Sequence, residues 1–555
     1  MKTKTILALI LCLVLLVGSL AGCGSKETTS EAKPPESAAT TGGDANTADS
    51  TSDQEASEEV STSGDSAVYG GVLKYGVPSY PKTVGYTPLI TANDHFTYLN
   101  IAYESLTFYD ESGNIVPRLA TDWKTDSDEP SVTWTLRQGV QFADGTPFNA
   151  EAVKVNIEEY QKNNRTEVSM IDSMEIIDDY TIKMNLSSWN SSTVESVGFY
   201  VYYMSPAVLA SNPDSLNERT CGTGAFTLED FETGVFYKYV KNENYWREGQ
   251  PYLDGVEIRP VESTQTLATA FQNNEFDVAY INSYAVEAQL IEANPGNWNI
   301  EKNTTGVGIV MTGLIPNSAE DNSPFKDYRV RQALCFAIDG SVISEVCNYN
   351  MSPTTNQWAV PGSKTYDESL TTFSYNPEKA KELLAEAGYP DGFETTVTCI
   401  EANQEVFTAC AGMLEEVGIH CNINLVDSAQ QTQLYSDGTW HGLMGHFASC
   451  GPDLGLYMGR HLAYDGAYYA KGIEHPAEAM ELLEKIQTAP TEEEKISYEH
   501  EMQKYMYDAE TGSALFGMPL YVQIHRIFSH NNVHNVNGYI VPPLVCFWQI
   551  QMDNK

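Results

Sequence analysis

Val132, Trp134 and Leu136 alternate with Thr133, Thr135 and Arg137, the period-two pattern of a strand with one face on a core. Asp144-Gly145 then breaks the chain, and Asn149 stands where an N-cap opens a predicted helix through Val153 and Ile157. Farther along, Val330, Ala333, Leu334 and Ala337 recur at i, i+3, i+4 and i+7 behind Asp327, one apolar stripe of a helix with an acidic cap. Another helix is predicted from Asn376 as cap and Pro377 in first position; it carries Ala380, Leu383, Leu384 and Ala387 on one face and stops at Gly388. Asn424-Leu425-Val426 after Gly418-Ile419 reads as the following strand, and the run 71–77 as an opening strand that leads through Pro78 into a loop bearing Tyr80. Strands interleaved with helices predict an α/β architecture, and no repeat of solenoid or propeller period interrupts it.

The first 66 residues follow other rules. Lys2 and Lys4 precede an apolar run from Ile6 to Val17, and Leu20-Ala21-Gly22-Cys23 follows, the succession of a secretory signal. The small residues before Cys23 resemble a bacterial lipobox, so residues 1–22 are expected to be removed and Cys23 to carry the lipid. From Gly24 to Ser66 the chain is Ser, Thr, Ala, Gly and acidic residues with almost no sizeable aliphatics, too little apolar surface to offset the entropy of ordering. We expect a tether over 23–66 with a reach of roughly 35–40 Å. No later stretch approaches the about 18 consecutive apolar residues of a membrane-spanning helix. The body, about 67–555, is too long for one simple core and should divide into lobes.

Charge and chemistry narrow the function by exclusion. With 32 basic against 75 acidic residues and a net charge of −43, the chain should be repelled by nucleic acid. Cys221, Cys335, Cys347, Cys399, Cys410, Cys421, Cys450 and Cys546 are an even set, which permits disulfides without implying a pairing. Gly-x-Ser-x-Gly, a Walker loop, His-Glu-x-x-His and Cys-x-x-Cys are all missing. Gly222-Thr223-Gly224 and Gly306-Val307-Gly308 are fragments that tight turns explain, and the pairs His530/His534 and His441/His446 lack a third ligand at recognisable spacing. No cofactor, metal site or catalytic residue is expected.

Longer blocks carry a resemblance. Tyr103-Glu104-Ser105-Leu106, the segment 115–123 ending in Asp122-Trp123, and the segment 134–153 around Phe142-Ala143-Asp144-Gly145-Thr146-Pro147 resemble the N-terminal signature of the family 5 extracellular solute-binding proteins. Gly222–Phe226 with Asn242–Trp246, then Phe271–Val278, Val330–Asp339 and Tyr375–Tyr389 follow in the family's order. The resemblance implies two α/β lobes of the large periplasmic peptide-binding type around a cleft: lobe I from 67–107, 220–310 and 515–555, an extra subdomain of it over 108–219, and lobe II over 311–514. The lobe crossings are expected near Met311–Leu314 and Ala514–Pro519. It further implies a monomeric receptor, not an enzyme, that captures a peptide or peptide-like solute and delivers it to the permease of an ABC importer; an oligosaccharide or a nickel chelate is the alternative solute, a signalling receptor on the same scaffold an alternative role, and an extracellular hydrolase a remote third.

For the site, the resemblance places Trp358 in Asn356-Gln357-Trp358 against the ligand, with core packing as the other role open to it. Tyr80 after the first strand, and Thr223 and Gly224 in their turn, are further candidates. Where many peptide-binding members carry an aspartate for the peptide's α-ammonium, this chain reads Phe447-Ala448-Ser449-Cys450-Gly451-Pro452-Asp453. A neutral residue there leaves a buried ammonium uncompensated, which argues against free-amine recognition unless Asp453 substitutes through a shifted loop, while His446, beside Phe447, would meet a carbonyl, carboxylate or chelate or serve as a structural histidine in a strand.

Overall fold

Leu73, Tyr75 and Val77 are fully buried because their strand, Val72–Val77, runs through the middle of a sheet, parallel to Gly255–Pro260 on one side and to Val278–Ile281 on the other. The computed structural model describes residues 67–90, 95–293, 296–303, 305–464, 466, 468–538 and 544–553; Cys23, the signal and the tether lie outside them. The central strand belongs to a seven-stranded sheet, in the order Trp298–Lys302, Arg526–His530, Val278–Ile281, Val72–Val77, Gly255–Pro260, Phe236–Lys241 and Phe226–Glu232. This sheet is lobe I.

The subdomain is a four-stranded antiparallel sheet, Ala120–Asp126, Ser131–Leu136, Thr181–Leu186 and Ile171–Asp178, whose Val132, Trp134 and Leu136 are buried as the alternation predicts. Asn149 accepts a hydrogen bond from the Ala152 amide and starts the helix Ala150–Lys162. Lobe II is a five-stranded sheet ordered Ile419–Val426, Phe393–Ile400, Leu443–Ser449, Val310–Pro316 and Met518–Gln523. Its helices begin at the predicted caps: Asp327 accepts from Arg329 N ahead of Tyr328–Ala337, and Asn376 from Lys379 N ahead of Pro377–Glu386. Among the described residues the eight cysteines of the body are free thiols.

Both expected crossings move. Val310 already pairs with Ser449 and Gln523 inside lobe II, so the first crossing precedes it, over 303–309, where buried Asn303 accepts from the Thr305 and Gly306 amides and donates to Val307 O. Gly306 and Gly308 sit at φ +84° and +67°, a conformation that disfavours any residue with a Cβ. The second crossing is Ile524–His525 and not Ala514–Pro519: Met518–Gln523 pairs with Val310–Pro316 in lobe II, and Arg526–His530 pairs with Val278–Ile281 in lobe I. Both strands are largely buried runs, so long-range pairing assigns them. Tyr284 OH accepts from Ile524 N at 3.1 Å, and buried Glu287 binds His525 at 2.8 Å and Arg526 at 2.6 Å, pinning this crossing to the helix Tyr284–Ala293.

Candidate functional site

The lobe boundary is where the fold gathers charge. Asp453 accepts from Leu456 N at 2.7 Å and so caps the helix Leu454–Leu462; its second oxygen binds Lys495 Nζ from the helix Glu492–Tyr507. One turn on, Glu499 accepts from the amides of Leu454 at 2.8 Å and Gly455 at 3.3 Å. This helix buries 495, 499, 502, 503 and 506 along one stripe, so a lysine and a glutamate occupy places that an amphipathic pattern reserves for apolar side chains. From the other side the helix Thr193–Tyr200 brings Glu195, and the strand Thr107–Tyr109 brings Tyr109. Glu195 interacts electrostatically with Asp453 and Lys495 across the boundary. The two walls touch: Tyr200 OH and Tyr457 OH share a hydrogen bond at 3.0 Å, Trp189 Nε1 donates to Ala489 O at 2.9 Å, and Ser191 Oγ donates to Ile486 O at 2.8 Å.

Burial sets the electrostatics. It pushes Glu195 up, with Asp453 adding to the effect, to about 7. It likewise lifts Glu499, against the pull of Lys495, to about 8. Burial works on Asp453 in the same sense, but the Lys495 ammonium holds that carboxyl below its ordinary range. His446 falls to about 4 and His461 to about 3, both by burial, so both imidazoles are neutral at physiological pH. A carboxyl whose folded pKa exceeds the ordinary 4.5 contributes stability that is complete below 4.5 and lost as pH rises through the folded value. Glu195 and Glu499 therefore subtract stability between about pH 5 and 8, and the two histidines subtract it as pH falls from 6.5 towards 4. The double substitution Glu195→Gln, Glu499→Gln is expected to leave stability near the wild-type level at pH 5 and to raise it by on the order of a few kcal/mol at pH 8. Urea unfolding across this range checks it; a gain independent of pH would mean that the two carboxyls titrate normally.

Residues 114–468 match the family described as "Bacterial extracellular solute-binding proteins, family 5 Middle". The chain belongs to family 5. Among curated relatives, the glutathione-binding protein GsiB of Pectobacterium atrosepticum is 30% identical over 351 residues, covering 61% of this chain and 67% of the relative, and GsiB of Salmonella typhi is 31% identical over 339 residues, covering 59% and 64%. The chain thus spans about two thirds of the length of these relatives. Among solved structures, DppA from Helicobacter pylori in complex with peptide STSA superposes with a TM-score of 0.70 at 21% identity, covering 88% of this chain and 99% of that one. NikA from Brucella suis in complex with Fe(III)-EDTA superposes with 0.74 at 19%, covering 86% and 100%. The ABC transporter substrate-binding protein CtaP from Listeria monocytogenes gives 0.76 at 18%, covering 88% and 100%. These likenesses place the fold among the two-lobed periplasmic binding proteins. Among the described residues of this family 5 protein, no helix is long and apolar enough to cross a membrane.

The residues singled out in sequence fall into separate places. Trp358 is 1% exposed; it packs on Phe516 and His461 with centroids at 4.6 and 6.1 Å, and its backbone N and O both bond Gln503. His446 joins the same aromatic cluster, stacked on Tyr435 at 4.3 Å, with its buried Nδ1 unpartnered. Phe447 lies in the strand Leu443–Ser449. Thr223 is buried and donates to Glu104 at 3.0 Å, while Gly224 lies so close to Ala102 that a Cβ would come within 2.5 Å of its carbonyl carbon. Tyr80 is half-buried against Gly234. Asp453 stands at the lobe boundary, already committed to Lys495. Sequence reasoning missed Glu195, Lys495, Glu499 and Tyr109. The signal for two of them was present as charges on the buried stripe of a helix; Glu195 and Tyr109 gave none, because they meet each other only in the fold and Asp453, Lys495 and Tyr457, which also act on them, come from the other lobe.

Proposed function

We propose that this family 5 protein is the extracytoplasmic receptor of an ABC importer, which captures a peptide or peptide-like solute between its lobes and presents the closed form to a membrane permease. The observation that carries the reading is the lobe boundary itself: two sheets joined by only two short crossings among the described residues, over 303–309 and at Ile524–His525, meet at a buried polar surface. Such an arrangement suits closure about the crossings. A cleft that takes a peptide out of water must return its backbone hydrogen bonds, and the walls here carry hydroxyls, carboxylates and backbone groups. Cys23 and the tether would hold the receptor on the outer face of the membrane as a monomer. The solute is released unchanged, so the role is binding and not catalysis. A nickel chelate or an oligosaccharide is the second reading; the buried, unpartnered His446 Nδ1 is what favours a chelate.

A thermal-shift screen of the mature chain tests this against pooled free peptides, N-acetylated peptides, oligosaccharides and nickel chelates, because a ligand that binds only the folded state raises its apparent stability. Peptides are expected to raise Tm and to be recovered intact by mass spectrometry. Stabilisation by sugars or chelates alone would replace the solute class, recovery of cleaved peptide would replace the role, and no stabilisation by any pool would remove the reading.

A further inference from the structure

We propose that the subdomain of lobe I is a closing latch: Trp189 and Ser191 cap, from the first lobe, the C-terminus of the lobe II helix Ala477–Thr488, and so set the balance between the open and closed receptor without touching the solute. The inference deepens the receptor reading and rests on it, since it assigns the subdomain a part in closure.

The end of that helix opens the case. The last carbonyls of an α-helix have no partner within it, and this chain leaves the helix through Ala489 at ψ 127°, without the left-handed turn that commonly ties such carbonyls off. Three donors from the subdomain take them up. Ser191 N donates to Gln487 O at 2.7 Å, Ser191 Oγ to Ile486 O at 2.8 Å and Trp189 Nε1 to Ala489 O at 2.9 Å. From its own lobe Ile486 O receives the Ala489 amide at a long 3.5 Å.

Bonds inside lobe I aim these donors. Ser192 N donates to Asn190 Oδ1 at 2.9 Å, Thr193 Oγ1 to Asn190 O at 2.7 Å and Ser187 N to Met170 O at 2.9 Å, so the segment keeps its shape whether or not lobe II lies against it. The subdomain in turn moves with lobe I, because Val132, Trp134 and Ile157 share one hydrophobic core with Leu73 and Tyr75, whereas the core of lobe II is a separate one. Opening therefore breaks the bonds to Ile486, Gln487 and Ala489 and leaves those within each lobe intact.

The contact is of a kind that can part again. Thr166, Ser169 and Ser192 face Gly455, Gly459 and Gln487 across a recess of about 120 Å³, a polar surface such as domains bury reversibly. A second arm lies alongside: the Tyr200 and Tyr457 hydroxyls share their bond at 3.0 Å, and the Arg460 guanidinium lies over both rings, 5.9 and 5.5 Å from their centres. Each such bond contributes modestly, since water replaces it on opening, and a few of them bias a two-state equilibrium without freezing it.

The test reads amide hydrogen exchange and small-angle X-ray scattering of the mature chain without solute, in the wild type, in the double variant Trp189→Phe, Ser191→Ala, and in Thr135→Ala, a control on the exposed side of the same subdomain sheet. The Ser191 amide reports directly, because its acceptor belongs to the other lobe. In the double variant it is expected to exchange about tenfold faster, the effect of losing two ordinary hydrogen bonds, and the radius of gyration to rise, while the amides of Thr181–Leu186 keep the wild-type rate and the control matches the wild type throughout. Trialanine, titrated calorimetrically, is expected to bind the double variant about tenfold more weakly than the wild type, because closure then draws on fewer bonds. Unchanged exchange and scattering in the double variant, or exchange that quickens across the whole subdomain sheet, overturns the latch and leaves the receptor reading intact. Failure of trialanine to bind the wild type counts against the receptor reading for this solute class, while exchange and scattering still decide the latch.

Discussion

Lys495→Met is expected to destabilise the protein by about 3–5 kcal/mol at pH 7, the usual cost of removing one partner from a buried ion pair. Lys495 is 4% exposed and its ammonium binds Asp453. Burial alone would pull this lysine down, but Asp453 and then Glu499 outweigh it and hold it charged. Without it, Asp453 keeps its bond to the Leu456 amide but loses the charge that keeps its carboxyl ionised. The sign with pH follows. Asp453 titrates in the folded state below its ordinary 3.8, so the stability it draws from Lys495 is present above 3.8 and lost as pH falls below it. In the variant the boundary carboxyls can instead take up protons, so the deficit should narrow as pH falls from 8 towards 5. Urea unfolding at several pH values measures this, and the double variant Asp453→Asn, Lys495→Met should recover part of the loss. A loss under about 1 kcal/mol at pH 7 would show that water, and not Lys495, stabilises the carboxylate.

Glu104→Ala is expected to be at least as severe, and more severe than Arg118→Met. Glu104 is fully buried and accepts from Trp246 Nε1 at 2.7 Å, Thr223 Oγ1 at 3.0 Å, Arg118 Nε at 3.2 Å and Tyr245 OH at 3.3 Å. Its removal strands a guanidinium that is 1% exposed together with three neutral donors, so about 4–5 kcal/mol is expected from the lost ion pair and the unmade bonds together. Arg118→Met leaves Glu104 with those three donors. Methionine can also refill the place where the guanidinium lies over Phe108 and Trp548, at 4.6 and 4.8 Å from their ring centres, so the loss there should be about 2–3 kcal/mol. Equilibrium unfolding of both variants decides the order. If Arg118→Met proves the worse, the cation–π contacts matter more than the carboxylate's donors.

The resemblance located Glu104 and Thr223 as parts of motifs but offered Thr223 as a candidate at the cleft. The structure places its hydroxyl on Glu104, inside lobe I. Trp358 is similar: its loop is legible in the sequence, and the structure buries its ring inside lobe II against Phe516 and His461, the core-packing role.

What the sequence by itself determined is local. The caps at Asn149, Asp327 and Asn376, the strand alternation at 131–136 and the turn at Gly306–Gly308 depend on side chains meeting backbone a few residues away, and those distances are short in any conformation of the chain. Family blocks added the two-lobed plan. Tertiary structure alone decided which sheet Met518–Gln523 joins, because a continuous run of buried residues carries no mark of its lobe and only its register with Val310–Pro316 chooses. It also decided that Glu195 faces Asp453 and Lys495 across the lobe boundary. A carboxylate acquires a raised pKa only when a distant segment removes water from around it, and no local pattern encodes that desolvation.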